Sequence, residues 1–203
     1  MTDDQETNEF FREFRHELWR EMRRHFDLEK RCWDGEAITV RHGPFAVALD
    51  VHARAAGYSS HVVTRLRAPY INRDGFRFRI KRRSFMSSLA TILGAQDIEV
   101  GDEVFDREFV VEANSSSEMK RLLQDNAIRG QMLALPVTIV EVRDDEGRFG
   151  PEFPGEVDEL YMACEGRITD TGQIEGLYEL FADILNRLCR IGSAYRNDPH
   201  LSL

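Results

Sequence analysis

The stretch Phe45-Ala46-Val47-Ala48-Leu49-Asp50-Val51-His52, answered after Ala55-Ala56-Gly57-Tyr58 by His61-Val62-Val63-Thr64-Arg65-Leu66-Arg67, decides the fold. In the first run Phe45, Val47, Leu49 and Val51 alternate with small or polar residues; in the second Val62, Thr64 and Leu66 alternate with His61, Val63, Arg65 and Arg67. Successive side chains point to opposite faces of a strand, so each run has one face suited to burial. A hairpin that pairs Val51 with Val62 also pairs Val47 with Leu66. It puts both sets on one face, and a one-residue slip would send one set to the other. A third run follows the turn at Asn72-Arg73-Asp74-Gly75, with Phe76, Phe78 and Ile80 inward and Arg77, Arg79 and Lys81 outward. These runs predict an antiparallel meander of three or four strands with one wet face.

Helical periodicity flanks the meander. Phe10, Phe11, Phe14, Leu18, Met22 and Phe26 recur at helical steps and predict an amphipathic helix over residues 8–29. Ser84 to Leu93 predicts a short helix that Gly94 ends. An acidic connector follows, then a strand at Glu108 to Glu112. Ser115 and Glu118 have capping-box spacing and start a helix bearing Leu122 and Leu123, continued after Asn126 by Ile128 and Met132. Strands are expected at Val137 to Val142 and Leu160 to Cys164, and a long apolar helix from Asp170 or Thr171 to Ile191. Residues 195–203 read as a loose tail. The order gives an α+β class: an antiparallel meander sheet, helices packed mainly on one face, and long amphipathic helices at both ends. With 203 residues the chain is expected to be a single domain.

The run Gly101-Asp102-Glu103-Val104-Phe105-Asp106-Arg107-Glu108-Phe109-Val110-Val111 resembles a signature, roughly G-D-x-x-F-D-x-x-F-x-V, of a bacterial protein family of unknown function. In that family a Leu-Leu-bearing helix follows, as Leu122 and Leu123 do here, and an apolar helix closes the chain. The resemblance implies no activity and carries over no catalytic residue. Physically the motif reads as structure. Asp102 suits a turn after Gly101, Phe105 and Phe109 suit a core, and Asp106 suits bonding to backbone amides across a loop.

Charge is segregated. The chain carries −9 overall. Residues 37–83 hold ten basic and two acidic side chains, a surplus of +8 that leaves −17 elsewhere. Residues 96–118 hold eight acidic side chains against Arg107. The expected candidate site is anionic: Arg65, Arg77, Arg79 and Lys81 on the outer face, joined by Arg82, Arg83 and Ser84 at a helix N-terminus that offers free N–H groups. The acidic connector is the expected internal competitor for those cations. A second candidate is a metal site in which Asp50, His52 and His61 meet, with His52 opposite His61 in the hairpin.

No phosphate-loop, dinucleotide, zinc-protease, serine-hydrolase or paired C-x-x-C pattern appears. Cys32, Cys164 and Cys189 are an odd, widely spaced set that matches no zinc or redox pattern. The acidic start and the absence of a long apolar run predict a cytoplasmic protein without a membrane span. Inward-pointing Phe76 and Phe78 leave the basic face without stacking platforms, which argues against nucleic acid. The expectation is a non-enzymatic binding or adaptor protein that takes an anionic small molecule or an acidic partner through the basic face, with no cofactor. Two alternatives are a small metal-dependent or hydrolase-like enzyme using Asp50, His52 and His61, and a structural homodimer formed through residues 8–29.

Overall fold

The computed structural model describes residues 9, 20, 26–27, 32–33, 37–42, 44–56, 59–85, 96–145, 153–197 and 199. The main sheet has eight strands: β1 (Ile38–His42), β2 (Phe45–Ala56), β3 (Ser59–Ile71), β4 (Phe78–Arg82), β5 (Gln96–Asp97), β6 (Phe109–Ala113), β7 (Val137–Arg143) and β8 (Val157–Glu165). Four described helices accompany it: α1 (Glu103–Glu108), α2 (Ser116–Leu123), α3 (Asn126–Ala134) and α4 (Thr171–Ile191). The class is α+β, and every pairing in the sheet is antiparallel.

The strand order is β1-β2-β3-β8-β7-β4-β6-β5. The expected meander is therefore broken: β8 and β7 are inserted between β3 and β4. The link Asn72 to Arg77 passes the ends of those two strands and is held there, with the Asn72 N–H donating to the Glu156 carbonyl at 2.7 Å. Six residues of extended chain reach about 20 Å, enough to pass the two inserted strands. The β2–β3 register also differs from the expected one. Val51 faces Thr64 and Leu49 faces Leu66, a shift of two residues. A two-residue shift keeps every side chain on its expected face, so alternation alone does not distinguish the two registers.

The inner face carries Phe45, Val47, Leu49, Leu66, Ile80, Val111, Val140, Leu160 and Met162 in one cluster with the buried side chains of all four helices. Helix α4 supplies most of its partners, Ile174, Leu177, Phe181, Ile184, Leu185 and Leu188 among them. Asp170 caps α4 by accepting from the Gln173 N–H, and Gly192 closes it at φ 87°, a left-handed position that favours glycine.

The Gly101–Val111 motif is built as its residues suggest, with one addition. Asp102 caps α1, a helix that the acidic composition concealed, by accepting from the Val104 and Phe105 amides. The Asp106 carboxylate accepts from Val100 and Gly101 N–H, both at 3.0 Å, and fastens the loop before the helix. Phe105 and Phe109 stack in the core with ring centroids 4.8 Å apart.

Of the expected helix over residues 8–29, Glu9 and Arg20 are described and helical, while Phe26–Asp27 pairs with Cys32–Trp33 as a short ladder. Phe26 and Asp27 are thus strand where helix is expected, and the rest of the segment lies outside the described residues. The expected helix at Ser84–Leu93 also lies mostly outside them; its described start is a 3-10 turn, Arg83–Phe85. The tail is anchored at its beginning, since the Tyr195 N–H donates to the Ile71 carbonyl at 3.1 Å.

Replacing Asp106 by Ala is expected to leave two amides without their acceptor and to destabilise the chain by about 2 kcal/mol, read as a lowered midpoint in urea unfolding with an unchanged slope.

Candidate functional site

The outer face of the sheet carries the charge. One row crosses all eight strands: Thr39, Ala48, Arg67, Tyr161, Glu141, Arg79, Glu112 and Asp97. The neighbouring rows on this face add Asp50, Arg65, Ala163, Ile139 and Lys81 on one side, and Ala46, Pro69, Glu159 and Arg143 on the other. Arg65 Nε donates to Asp50 Oδ1 at 2.5 Å, and Arg67 Nη2 donates to Asp50 Oδ2 at 3.2 Å. Arg67 also lies 3.5 Å from Glu159. Arg79 Nε donates to Glu141 Oε2 at 2.6 Å, and Arg143 binds the other oxygen of the same carboxylate. The Arg143 guanidinium stacks over the Tyr161 ring, 3.4 Å from its centroid.

This face is not wet at its centre. Glu159 and Glu141 are 1 % and 3 % exposed, and Ala46, Ala48, Tyr161 and Ala163 are buried. Those four apolar residues lie outside the cluster that the helices share with the inner face. They lie as two pairs, on β2 and on β8, with Arg65 and Arg67 of β3 between them.

The remaining cations expected in the anion site do not converge. Arg77 bridges Asp158 and Asp144, with Nη1 to Asp144 Oδ2 at 2.5 Å. Arg82 points inward. Its guanidinium donates to the carbonyls of Met132, Leu135 and Val137 at 2.8 to 3.0 Å and lies over the Phe109 ring. It serves the C-terminus of α3, where a cation complements the helix dipole, rather than the N-terminus of a following helix. Arg83 donates to the Asp106 carbonyl. Ser84 is exposed in the 3-10 turn. Lys81 and Arg83 are the two cations of the set with no ion pair among the described residues, Arg83 meeting only a backbone carbonyl. The connector neutralises only part of the surplus. The larger share is met by Glu141, Asp158 and Glu159 on β7 and β8, which the reading of the sequence did not single out. The unexplained +8 over residues 37–83 was the signal that could have found them.

The Asp50, His52 and His61 trio is corrected by the register. His61 faces Arg54 and His52 faces Val63. The Asp50 carboxylate is taken by two guanidiniums, and His61 Nδ1 lies 3.2 Å from Glu165. Among the described residues no group of three or more His, Cys, Asp or Glu could hold a metal ion. Cys164 and Cys189 are unpaired thiols whose pKa burial pushes up to about 12, so neither is a thiolate nucleophile at neutral pH.

A second polar cluster closes the β3–β4 link. Asn72 Nδ2 donates to Asp158 and to the Phe76 carbonyl, and the Ser193 hydroxyl donates to Asp74 at 2.7 Å. Burial raises the Asp158 pKa above the ordinary 3.8, outweighing the hydrogen bonds from Asn72 and Arg77.

No protein-family model, characterised protein or solved structure significantly matches the chain. Among the described residues no helix is long and apolar enough to cross a membrane.

Two outcomes follow from these contacts. Arg82→Met strips three carbonyls of their donor and is expected to cost about 3 kcal/mol in denaturant unfolding, whereas Arg73→Ala, which loses an exposed pair with Glu156 and a contact with the Tyr195 ring, stays within about 1 kcal/mol. Asp158 holds its proton more tightly in the folded chain than in the unfolded one. Its contribution to stability is present below about pH 3.8 and is lost as the pH rises through the raised value. Asp158→Asn should remove that part of the pH dependence, and carboxyl NMR should place the Asp158 titration above 3.8.

Proposed function

We propose that the protein is a non-enzymatic binding module whose outer sheet face receives an amphipathic helix with both signs of charge on its flanks. One observation carries this reading. Ala46 and Ala48 on β2, and Tyr161 and Ala163 on β8, are buried to either side of the β3 arginines on the face that the four described helices leave alone. Between and beside these small patches Asp50, Glu141 and Glu159 hold Arg65, Arg67, Arg79 and Arg143 in fixed positions. Small side chains let a helix approach the sheet closely, and preset charges choose its orientation.

The competing reading is a compact anionic ligand held by Arg65, Arg77, Arg79, Lys81, Arg82, Arg83 and Ser84. It is the weaker one, because the arginines are directed to separate carboxylates and carbonyls and leave no common point between them. A cytoplasmic location accords with the unpaired Cys164 and Cys189. The Gly101–Val111 signature, on the family resemblance it suggests, belongs to the scaffold under this face and takes no part in recognition.

The test is direct. The full chain is titrated with a designed amphipathic peptide bearing mixed Glu and Arg flanks, and separately with inorganic phosphate, nucleotides, anionic vesicles and short nucleic acids, each at low and high salt. The peptide should bind saturably, and Ala48→Lys should weaken it by about tenfold, or about 1.4 kcal/mol. Saturable binding of phosphate compounds that Arg79→Glu abolishes, with no binding of the peptide, would overturn the reading in favour of an anion site.

A further inference from the structure

We infer that the far end of the β2–β3 hairpin is a contact between two copies of this chain: the open edge of β2 over Val51–Ala55 pairs antiparallel with the same edge of a second copy, centred on Ala53.

The hairpin outgrows the sheet. β1 pairs with β2 no further than Ile38 with Leu49, and β8 pairs with β3 no further than Glu165 with Val63. The last four pairs of the hairpin, from Ala53 with Val62 to Ala56 with Ser59, stand beyond both neighbouring strands. They extend the sheet by about 13 Å. Glu165 and Gly166 touch only the base of this arm, through His61 and the Val62 carbonyl. A two-stranded ribbon is marginally stable in water and gains from a further strand. Ala53 is exposed on it, and so is Val62, one of the two large apolar side chains exposed among the described residues.

The turns at both ends of β2 show which backbone groups are open. Residues that flank a two-residue hairpin turn exchange both backbone bonds, and the bonding side then alternates along the strand. Ala56 and Ser59 close the β2–β3 turn, so Ala56, Arg54, His52 and Asp50 bond towards β3. His42 and Phe45 close the β1–β2 turn, so Phe45, Val47 and Leu49 bond towards β1. Beyond Leu49 the N–H and C=O groups of Val51, Ala53 and Ala55 point to the β1 side, where no described strand meets them. This stretch has no proline and no bulge, two devices that protect an exposed edge.

The open edge is complementary to itself. An antiparallel pairing centred on Ala53 sets Ala53 against Ala53, and Val51 of each copy against Ala55 of the other. Every open residue then meets an open residue, for about six backbone bonds. Asp50 falls opposite Ala56 and Arg54 opposite His52, so no two permanent charges of one sign face each other directly. β1 does not obstruct the approach. In this register Leu49 lies opposite the residue after Ala56, where the partner's strand has ended, so the paired stretch stops where β1 begins. A loose peptide would have to be ordered on an edge of five residues, whereas a second copy brings a strand already formed. The contact is isologous and closes as a two-fold dimer.

The experiment follows the mass of the full chain by sedimentation equilibrium from micromolar to several hundred micromolar concentrations. A reversible dimer is expected. Ala53→Pro removes an N–H that the β2–β3 ladder does not use, so it should keep the far-UV circular dichroism and weaken the dimer by about tenfold, two backbone bonds being lost by symmetry. A second measurement covers the case in which proline disturbs the fold. In a Cys32→Ser background, Ala53→Cys meets its own copy at a Cα separation of about 5.5 Å, within disulfide range. Mild oxidation should join two chains through it much faster than through Ser60→Cys, on the other strand of the arm. A chain that stays monomeric throughout, a dimer that a folded Ala53→Pro variant leaves unchanged, or equal cross-linking at positions 53 and 60 would each overturn the inference.

Discussion

Glu141 and Glu159 are carboxylates set into the middle of a sheet, on strands buried on both sides, and their charge has to be met where it lies. An unpaired carboxylate there would cost several kcal/mol. The sheet meets the demand laterally: Arg79 and Arg143 share Glu141, and Arg67 reaches Glu159 from β3. The strand order follows from the same demand. A plain meander would set the outward arginines of β3 beside those of β4, and like charges directly across a ladder repel. Inserting β8 and β7 between them alternates the signs across the face. The charge segregation along the sequence is thus a pairing pattern: basic strands come first and the acidic strands that separate them come later.

Much of the inner half of the molecule was legible, because its signals are local. Alternation in Phe45–Val51 fixed a face, and Ser115 and Asp170 marked helix starts. These depend on neighbours within a few residues and survive any error in topology. The register of β2 against β3 was not legible, because a shift of two residues preserves every face. Only a contact specific to one register, such as Asp50 with Arg65, distinguishes the alternatives, and it requires knowing which polar residues meet. The insertion of β7 and β8 was hidden for a related reason. Sequential strands are neighbours more often than not, and the short link Asn72–Arg77 looked like a hairpin turn.

The candidate site shows the same division. The arginines were correctly placed on the outer face as strand positions, yet their role was misjudged, because sequence gives a side chain's face and not its partner. Arg82 is the clearest case. Its position before a helical pattern suggested an N-terminal anion site, and its alternation parity had already put it on the inner face with Phe78 and Ile80. Parity was the stronger signal. A guanidinium turned into the core needs acceptors, and the end of α3 supplies the Met132 and Leu135 carbonyls while the start of β7 supplies that of Val137.

The two faces of this sheet therefore do different work. The inner face is apolar, large and shared by every described helix, so it supplies cooperativity and tolerates shifts that conserve volume. The outer face combines four small or aromatic residues with ion pairs that hydrophobic replacements could match in stability. Pairs of that kind add little to folding free energy but discriminate strongly among occupants, since a helix with the wrong charge at Arg65 or Glu141 would bury an unmatched ion. On the reading proposed here, specificity is the reason the polar pairs are kept: the inner layer would fold without them, and the outer layer could not choose its helix.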